Sequence, residues 1–270
     1  MTGRLAADWT SLARQLAHAH RIAVLTDFDG TLTPIRRRPD AVQLAPRVRR
    51  ALARLAAAGH VVGIVSGRRI DDLRRRVGLP QLWYAGNHGY FLQSPGGVSV
   101  SLVRPDQHAE VMRIARDLAH LLSRTPGVRL EVKPASVAVH FRGAPAASHR
   151  VVTRLVHRIA RREGDLRLLA GKCLWELLPQ TPVDKAVAVR VILDLERQRY
   201  PGRPLPVVFV GDDVTDEAVF GLKLTLPVSV GRRRTSARYR VRSPHDVVRL
   251  LERILAVTRT TRKLQDSRSK

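Results

Sequence analysis

Four short apolar runs constrain this chain most: IAVL at 22–25, VVGIV at 61–65, LWYA at 82–85 and VVFV at 207–210. A strand with one wet face alternates apolar and polar residues. Uninterrupted runs of this length read instead as strands buried on both faces. Helical periodicity fills the intervals. Val48, Leu52 and Leu55 mark one face of a helix predicted over 46–58, with Gly59 as its stop. SGRR opens a second helix near Ile70–Val77, a further strand is expected near 224–230, and Val247, Leu250, Leu251 and Ile254 define a last helix over 244–256. Strand–helix alternation of this kind predicts an α/β fold, a parallel sheet covered on both faces. Of the 270 residues 44% are hydrophobic, enough for a substantial core, but only 4% are aromatic, so aliphatic side chains must do the packing.

The middle of the chain breaks the rhythm. A helix is predicted over 106–123, then alternating strands LEVK (130–133) and VAVHFR (137–142), a helix over 147–162, and LRLLA (166–170) and CLWELL (173–178) across a GK turn. The order αββαββ predicts a small α+β domain inserted into the core. The chain then divides into a first core part with an N-terminal helix at 1–103, the insert at 104–178, a second core part at 179–257, and a basic tail at 258–270 expected to be flexible.

The formal charge of +25 comes from 48 basic and 23 acidic residues, and only six of the basic ones are Lys. Such a field attracts anions, whether a phosphorylated small molecule, a nucleic acid or an acidic surface, and it can equally be a solvated surface decorated with Arg. Short clusters stand at Arg36–Arg38, Arg74–Arg76 and Arg232–Arg234. The single Cys173 excludes an intramolecular disulfide, and no Cys/His set has zinc spacing. No stretch approaches the roughly 18 uninterrupted apolar residues of a membrane span. Leu5, Trp9, Leu12 and Leu16 recur at helical spacing rather than forming a signal sequence, so a soluble, cytoplasmic protein is expected.

Acids stand where buried strands end. Asp27 and Asp29 follow the first run; Asp212, Asp213 and Asp216 follow VVFVG. Loops at the carboxyl ends of parallel strands share the edge where such sheets bind ligands. Five carboxylates can converge there, and a hard cation such as Mg²⁺, held by a few of them with water and substrate phosphate oxygens, would offset their repulsion. Each motif alone reads equally as a turn with a capping Asp; the two together, each after a strand, favour a site. Ser66, after VVGIV, offers a hydroxyl and a free backbone N–H at a helix start, an anion site by geometry. Lys185 opens a helix just after the insert and can neutralise a phosphate or hold a carboxylate.

DFDGTL, SGR, Lys185 and GDDVTDE, in this order, resemble the four motifs of the haloacid dehalogenase superfamily of phosphotransferases. Further blocks, DFDGTLTPIRRRPDAVQLAP, GNHGY, LEVKPASVAVHFR, GKCLWELLP, VFVGDDVTDEAVF and TSARYRV, are similar to the trehalose-6-phosphate phosphatases over about residues 20–256. The resemblance implies a Rossmann-like parallel-sheet core with an inserted α+β cap. It implies Asp27 as nucleophile and Asp29 as the acid that protonates the leaving sugar oxygen and later activates water. It implies Mg²⁺ held by Asp27, the backbone carbonyl of Asp29 and Asp212, with Asp213 and Asp216 nearby. Thr31, Ser66 and Lys185 would bind the phosphoryl group. Arg68, His88, Glu131, Lys133, His140, Arg142 and Glu176 are the implied substrate contacts.

The strand pattern keeps other readings open in the insert. His140 and Arg142 alternate with Val139 and Phe141 and fit the wet face of a strand; Glu131 and Lys133 share one face and fit a surface ion pair. The chain departs from the family at Phe91, where an acid is usual, at Leu178, where an Arg is frequent, and at Ala186, where a Gly is usual. The first two bear on the identity of the sugar. The expected function is therefore a Mg²⁺-dependent phosphatase of a small-molecule sugar phosphate, trehalose 6-phosphate first, with sucrose phosphate or a glycosyl-phosphoglycerate as alternatives. A phosphomannomutase fits the remaining blocks less well. A nucleic-acid-binding protein on a phosphatase scaffold is disfavoured by the full carboxylate set and by the lack of an aromatic stacking platform.

Overall fold

The computed structural model describes residues 3–17, 19–35, 42–133, 135–164, 166–180 and 183–266. The Arg36–Arg38 cluster lies outside the described residues. The chain divides into two compact units: a core, up to Val100 and again from Val183, and a second unit that begins at Ser101.

In the core, α1 (Gly3–Leu16) precedes β1 (Ala23–Thr26), α2 (Pro46–Ala57), β2 (Val61–Val65), α3 (Ile70–Val77) and β3 (Trp83–Gly86). Two short strands follow, β4 (Phe91–Gln93) and β5 (Ser99–Ser101). The second unit comprises α4 (Pro105–Leu122), β6 (Arg129–Lys133), β7 (Ser136–His140), α5 (Ala146–Glu163), β8 (Leu166–Gly171) and β9 (Leu174–Pro179). The core then resumes with α6 (Lys185–Arg199), β10 (Val207–Gly211), α7 (Glu217–Phe220), β11 (Thr225–Val230), β12 (Tyr239–Val241) and α8 (Pro244–Asp266).

The core sheet runs β12-β11-β10-β1-β2-β3-β4-β5. Strands β12 through β3 are parallel, and β4 returns antiparallel to β3. The uninterrupted apolar runs are explained by this position: every residue of β1, β2, β3 and β10 is buried. On one face Val24, Val62, Ile64, Val208 and Val210 pack with Leu12 and Leu16 of α1, Leu52 and Leu55 of α2, Leu73 of α3 and Leu251 and Ile254 of α8. Each fully buried Leu or Ile contributes about 1.5–3 kcal/mol relative to exposure. Strand neighbours with the other parity are buried too, and Phe209 meets Phe220 of α7 edge-on at 6.0 Å.

The topology fixes where a ligand can sit. From β1 the chain moves outward to β2 and β3, whereas from β10 it moves the opposite way to β11 and β12. The loops after β1 and β10 therefore part at the carboxyl edge of adjacent strands, a topological switch point.

The second unit has the expected αββαββ order. Its antiparallel sheet runs β6-β7-β9-β8. Val111, Ile114 and Leu118 of α4 and Val152 and Val156 of α5 cover Val137, Val139 and Leu177. Its bounds lie a few residues outside the expected 104–178.

The basic stretch from residue 258 continues α8 to Asp266, because the amphipathic face extends beyond Ile254: Thr258 is buried and bonds its hydroxyl to His60 Nε2 at 2.9 Å. Strands β4, β5 and β12, three residues each, were not foreseen; so short a run leaves no readable period. None of the described helices is long and apolar enough to cross a membrane.

Candidate active site

Strand β1 ends at Thr26, and the Asp27 N–H still pairs with the Val210 carbonyl at 2.8 Å, so the chain leaves the sheet with Asp27 already at its edge. Asp212 follows β10 on the neighbouring strand. The carboxylates of Asp27, Asp212 and Asp216 each bring an oxygen within 4.8 Å of the other two. Glycine lets them approach. Gly30 has φ +85°, and a Cβ there would lie 2.1 Å from Asp212 Oδ2. A Cβ on Gly211 would meet the Asp216 carboxyl at 2.4 Å.

Lys185, at the first position of α6, lies among them, 3% exposed. Its Nζ donates to Asp27 Oδ1 and to Asp216 Oδ1, both at 2.7 Å. Its helix is capped by Asp184, which accepts from the Val187 N–H at 2.9 Å. The fully buried Asp216 also accepts from the Asp213 N–H at 2.9 Å. One cation does not balance three carboxylates. Burial pushes the Asp27 carboxyl well above its usual range, and Asp216 and Asp212 push the same way against the opposing pull of Lys185. Burial, then the charge of Asp216, pushes Asp212 up to about 6 despite a hydrogen bond from the Thr31 hydroxyl. Three clustered oxygen donors short of positive charge suit a hard divalent cation such as Mg²⁺.

Thr31 is fully buried and donates to Asp212 Oδ1 at 3.1 Å. Ser66 is buried, with its hydroxyl oxygen accepting from the Arg68 N–H at 3.3 Å. The free backbone N–H expected at Ser66 is absent: it continues the β2–β3 ladder to the Ala85 carbonyl at 2.9 Å, and α3 begins only at Ile70. The Ser66 hydroxyl keeps its own proton to offer an anion.

Two acids stand apart from the cluster. Asp213 is exposed, and its carboxylate accepts from the Val214 N–H at 2.7 Å, capping the short turn after β10. The Asp29 carboxylate is held by Arg68, with Nε to Oδ2 at 2.5 Å and Nη2 to Oδ1 at 2.7 Å. Arg68 Nη1 donates to Asp72 at 2.8 Å. Burial works against the Arg68 charge, but its bonds to Asp29 and Asp72 more than offset this and hold the guanidinium protonated.

His88 packs its imidazole where a Cβ on Gly67 would be, 2.5 Å from His88 Cε1, and its N–H donates to the Ser66 carbonyl at 3.0 Å. Asn87 and His88 both have positive φ, +51° and +59°. Non-glycine residues in this region cost roughly 1–3 kcal/mol each and mark functional sites. Asn87 was not read as a site residue. It is 3% exposed, its N–H donates to the Arg68 carbonyl at 2.8 Å, and its Nδ2 has no hydrogen-bond partner among the described residues. The signal in the sequence was Asn before a Gly-flanked loop residue, since Asn tolerates the left-handed region.

In the second unit, register gathers Glu131, Lys133, Ser136, Ala138, His140 and Glu176 on one sheet face. The pair expected between Glu131 and Lys133 is replaced by two cross-strand pairs. Lys133 Nζ donates to Glu176 Oε1 at 2.8 Å, and the Ser136 hydroxyl donates to the same oxygen at 2.6 Å. Glu131 pairs with His140 Nε2 at 2.9 Å, and that bond holds the Glu131 carboxyl below its usual range. Arg142 is exposed, and its Nη2 donates to the Lys172 carbonyl at 3.2 Å. Leu178 is fully buried in β9 and Ala186 is buried in α6, while Phe91 is half-buried at the start of β4.

Known proteins are similar to this chain in sequence and in fold. The family profile described as trehalose-phosphatase matches residues 25–245. The trehalose-phosphate phosphatase of Mycobacterium tuberculosis H37Rv is 36% identical over 244 residues, covering 87% of this chain and 62% of that protein. The chain therefore spans under two thirds of the length of such relatives. The solved C-terminal domain of Candida albicans trehalose-6-phosphate phosphatase superposes with a TM-score of 0.75 at 23% identity, over 92% of this chain and 96% of that one, a likeness of fold. Aspergillus fumigatus trehalose-6-phosphate phosphatase gives 0.65 at 28% identity, over 92% and 97%. With a profile that spans both core parts and the second unit between them, and the acids of two adjacent strand ends inside it, the chain belongs to the trehalose-phosphatase family.

Proposed function

We propose that the chain is a Mg²⁺-dependent phosphatase that hydrolyses trehalose 6-phosphate through an aspartyl-phosphate on Asp27. The observation that carries this reading is the set of buried Asp27 and Asp216 and half-buried Asp212 around Lys185, at the switch point of the sheet. Asp27, Asp212 and the backbone carbonyl of Asp29 would hold the cation, with Asp216 near it. When bound, Mg²⁺ would act as a Lewis acid that neutralises phosphoryl charge.

The chain's own groups do the rest. Lys185 ties down Oδ1 of Asp27, which leaves Oδ2 for attack on phosphorus. The attack breaks the bond from phosphorus to the sugar oxygen, and Asp29 gives that oxygen its proton. Asp29 then takes a proton from the water that hydrolyses the acyl phosphate. Ser66, Thr31 and Lys185 orient the phosphoryl oxygens. The second unit acts as a cap whose polar sheet face, with Glu131, Lys133, His140 and Glu176, grips sugar hydroxyls, with Arg142 and His88 as further contacts.

A phosphate-release screen tests the reading. Trehalose 6-phosphate, sucrose 6-phosphate, glucose 6-phosphate and glycosyl-phosphoglycerates are compared with and without Mg²⁺. Turnover of trehalose 6-phosphate that is lost in chelator and restored by Mg²⁺ is expected. Full activity in excess chelator would remove the metal from the mechanism, and preference for another glycosyl phosphate would correct the substrate.

A further inference from the structure

The charges beside Asp29 form an alternating chain that runs away from the carboxylate cluster. Asp29 is paired with Arg68 through two bonds; Arg68 donates its third nitrogen to Asp72 Oδ2 at 2.8 Å; Arg76 Nε donates to the same Asp72 oxygen at 2.7 Å. Arg76 also donates to the Val42 carbonyl. The four side chains come from the loop after β1, the loop after β2 and the helix α3. Asp72 and Arg76 are four residues apart, so they share one side of α3 and are placed by that helix, not by a flexible loop. The inner pair is poorly hydrated: the Arg68 and Arg76 side chains are 13% and 12% exposed.

This geometry bears on the acid–base role assigned to Asp29 above, and rests on that assignment. Both Asp29 oxygens face the guanidinium. Each oxygen already accepts from a charged donor, so one of them has to part from Arg68 before it can carry a proton to a leaving group. Bidentate pairs between Arg and a carboxylate are among the stronger hydrogen-bonded contacts. Parting would also strip a counter-charge from a largely buried cation, which is costly unless another acid remains beside it. Asp72 is that acid, fixed on α3.

We propose that Asp72 is a positioning residue for Asp29, acting through Arg68. It shares the guanidinium, so Asp29 is aligned in the resting enzyme and can still be released to the substrate. Arg76 sets how much of Asp72 is available to Arg68. This pulls Arg68 out of direct substrate recognition, where the family resemblance had placed it.

The test is a double-mutant cycle on the full chain with Mg²⁺, using trehalose 6-phosphate and a small aryl phosphate. Asp72→Asn keeps the shape and removes the charge, giving Asp29 a larger share of Arg68. A hydrogen bond to a charged group corresponds to about ten- to a hundredfold. Turnover should therefore drop by that factor in kcat, with KM and Mg²⁺ affinity unmoved. In an Arg68→Gln background, Asp72→Asn should have no further effect, because the proposed coupling from Asp72 to Asp29 runs through Arg68. Arg76→Gln gives the opposite sign: it frees Asp72 for Arg68, so kcat rises, and an unchanged kcat counts against the proposal. A purely structural role would lower kcat in both, and Arg76→Gln decides the matter should Asp72→Asn fail to fold. Equal effects of Asp72→Asn with and without Arg68, or a rise in KM at constant kcat, would overturn the proposal. If the wild type turns over the aryl phosphate but not the sugar phosphate, the substrate reading fails while the cycle is still read on the aryl phosphate. A wild type inactive on both overturns the assignment of Asp29 and this proposal with it.

Discussion

Replacing Lys133 by Met probes a residue for which the strand pattern left open a surface ion pair with Glu131, and which the fold pairs with Glu176 instead. Lys133 and Glu176 are 7% and 4% exposed and 2.8 Å apart. Removing one partner of a buried pair costs about 3–5 kcal/mol, because the other charge is left in low dielectric. Here the Ser136 hydroxyl, 2.6 Å from the same Glu176 oxygen, still supports the orphaned carboxylate. The loss should therefore fall at the lower end, about 3 kcal/mol, or about a hundredfold in the unfolding equilibrium. Adding Glu176→Gln removes the stranded charge while keeping an acceptor for Ser136, and should recover roughly 2 kcal/mol of it. The assay is urea unfolding of chain labelled with 5-fluorotryptophan and followed by fluorine NMR. Trp175 is the only Trp of the second unit, so its signal reports that unit separately from Trp9 and Trp83. On activity, kcat/KM for the sugar phosphate should fall ten- to a hundredfold under conditions where the variant is folded, with aryl phosphate hydrolysis little changed. A stability change below about 1 kcal/mol would refute the reasoning, since that is the range of an exposed pair.

Other perturbations follow from the carboxylate cluster. Mg²⁺ binds only the ionised acids, and Asp212 sits near pKa 6 without it, so affinity should climb as pH rises through 6, by up to about tenfold per pH unit for each displaced proton. Calorimetry in buffers of different ionisation enthalpy measures the proton release, and an affinity flat from pH 5 to 7 would contradict the electrostatics. Gly30→Ala should cost about 1–2 kcal/mol for the left-handed backbone and should also displace Asp212. A lowered Tm together with weakened Mg²⁺ binding is expected; an unchanged Mg²⁺ titration would place Asp212 elsewhere.

The parts of this molecule that were legible in its sequence are those governed by local periodicity and strand ends. Ile70–Val77 is helical because Leu73 and Val77 face the core and Gly78 ends the helix, all visible in nine residues. Asp27 and Asp212 could be brought together because each follows a buried run in a parallel sheet. Side-chain partnerships were not legible. Lys133 and Glu176 are 43 residues apart and meet only through the register of β6, β7 and β9. The bond from Arg68 to Asp29 depends on how two loops leave neighbouring strands, which no spacing encodes. Adjacent acids also diverged: Asp212 turns toward Asp27, while Asp213 caps its own turn, a competition between local and non-local hydrogen bonding that sequence cannot decide.

The nucleophile is tested most directly by trapping the covalent state. Wild type and Asp27→Asn, each with Mg²⁺, are mixed with trehalose 6-phosphate carrying radiolabelled phosphate, quenched in acid within the first turnover, digested and mapped. Label on the peptide that carries Asp27 in the wild type, and none in Asp27→Asn, is expected. Label on another residue, or phosphate release by Asp27→Asn at the wild-type rate with Asn intact at position 27, would contradict the role of Asp27.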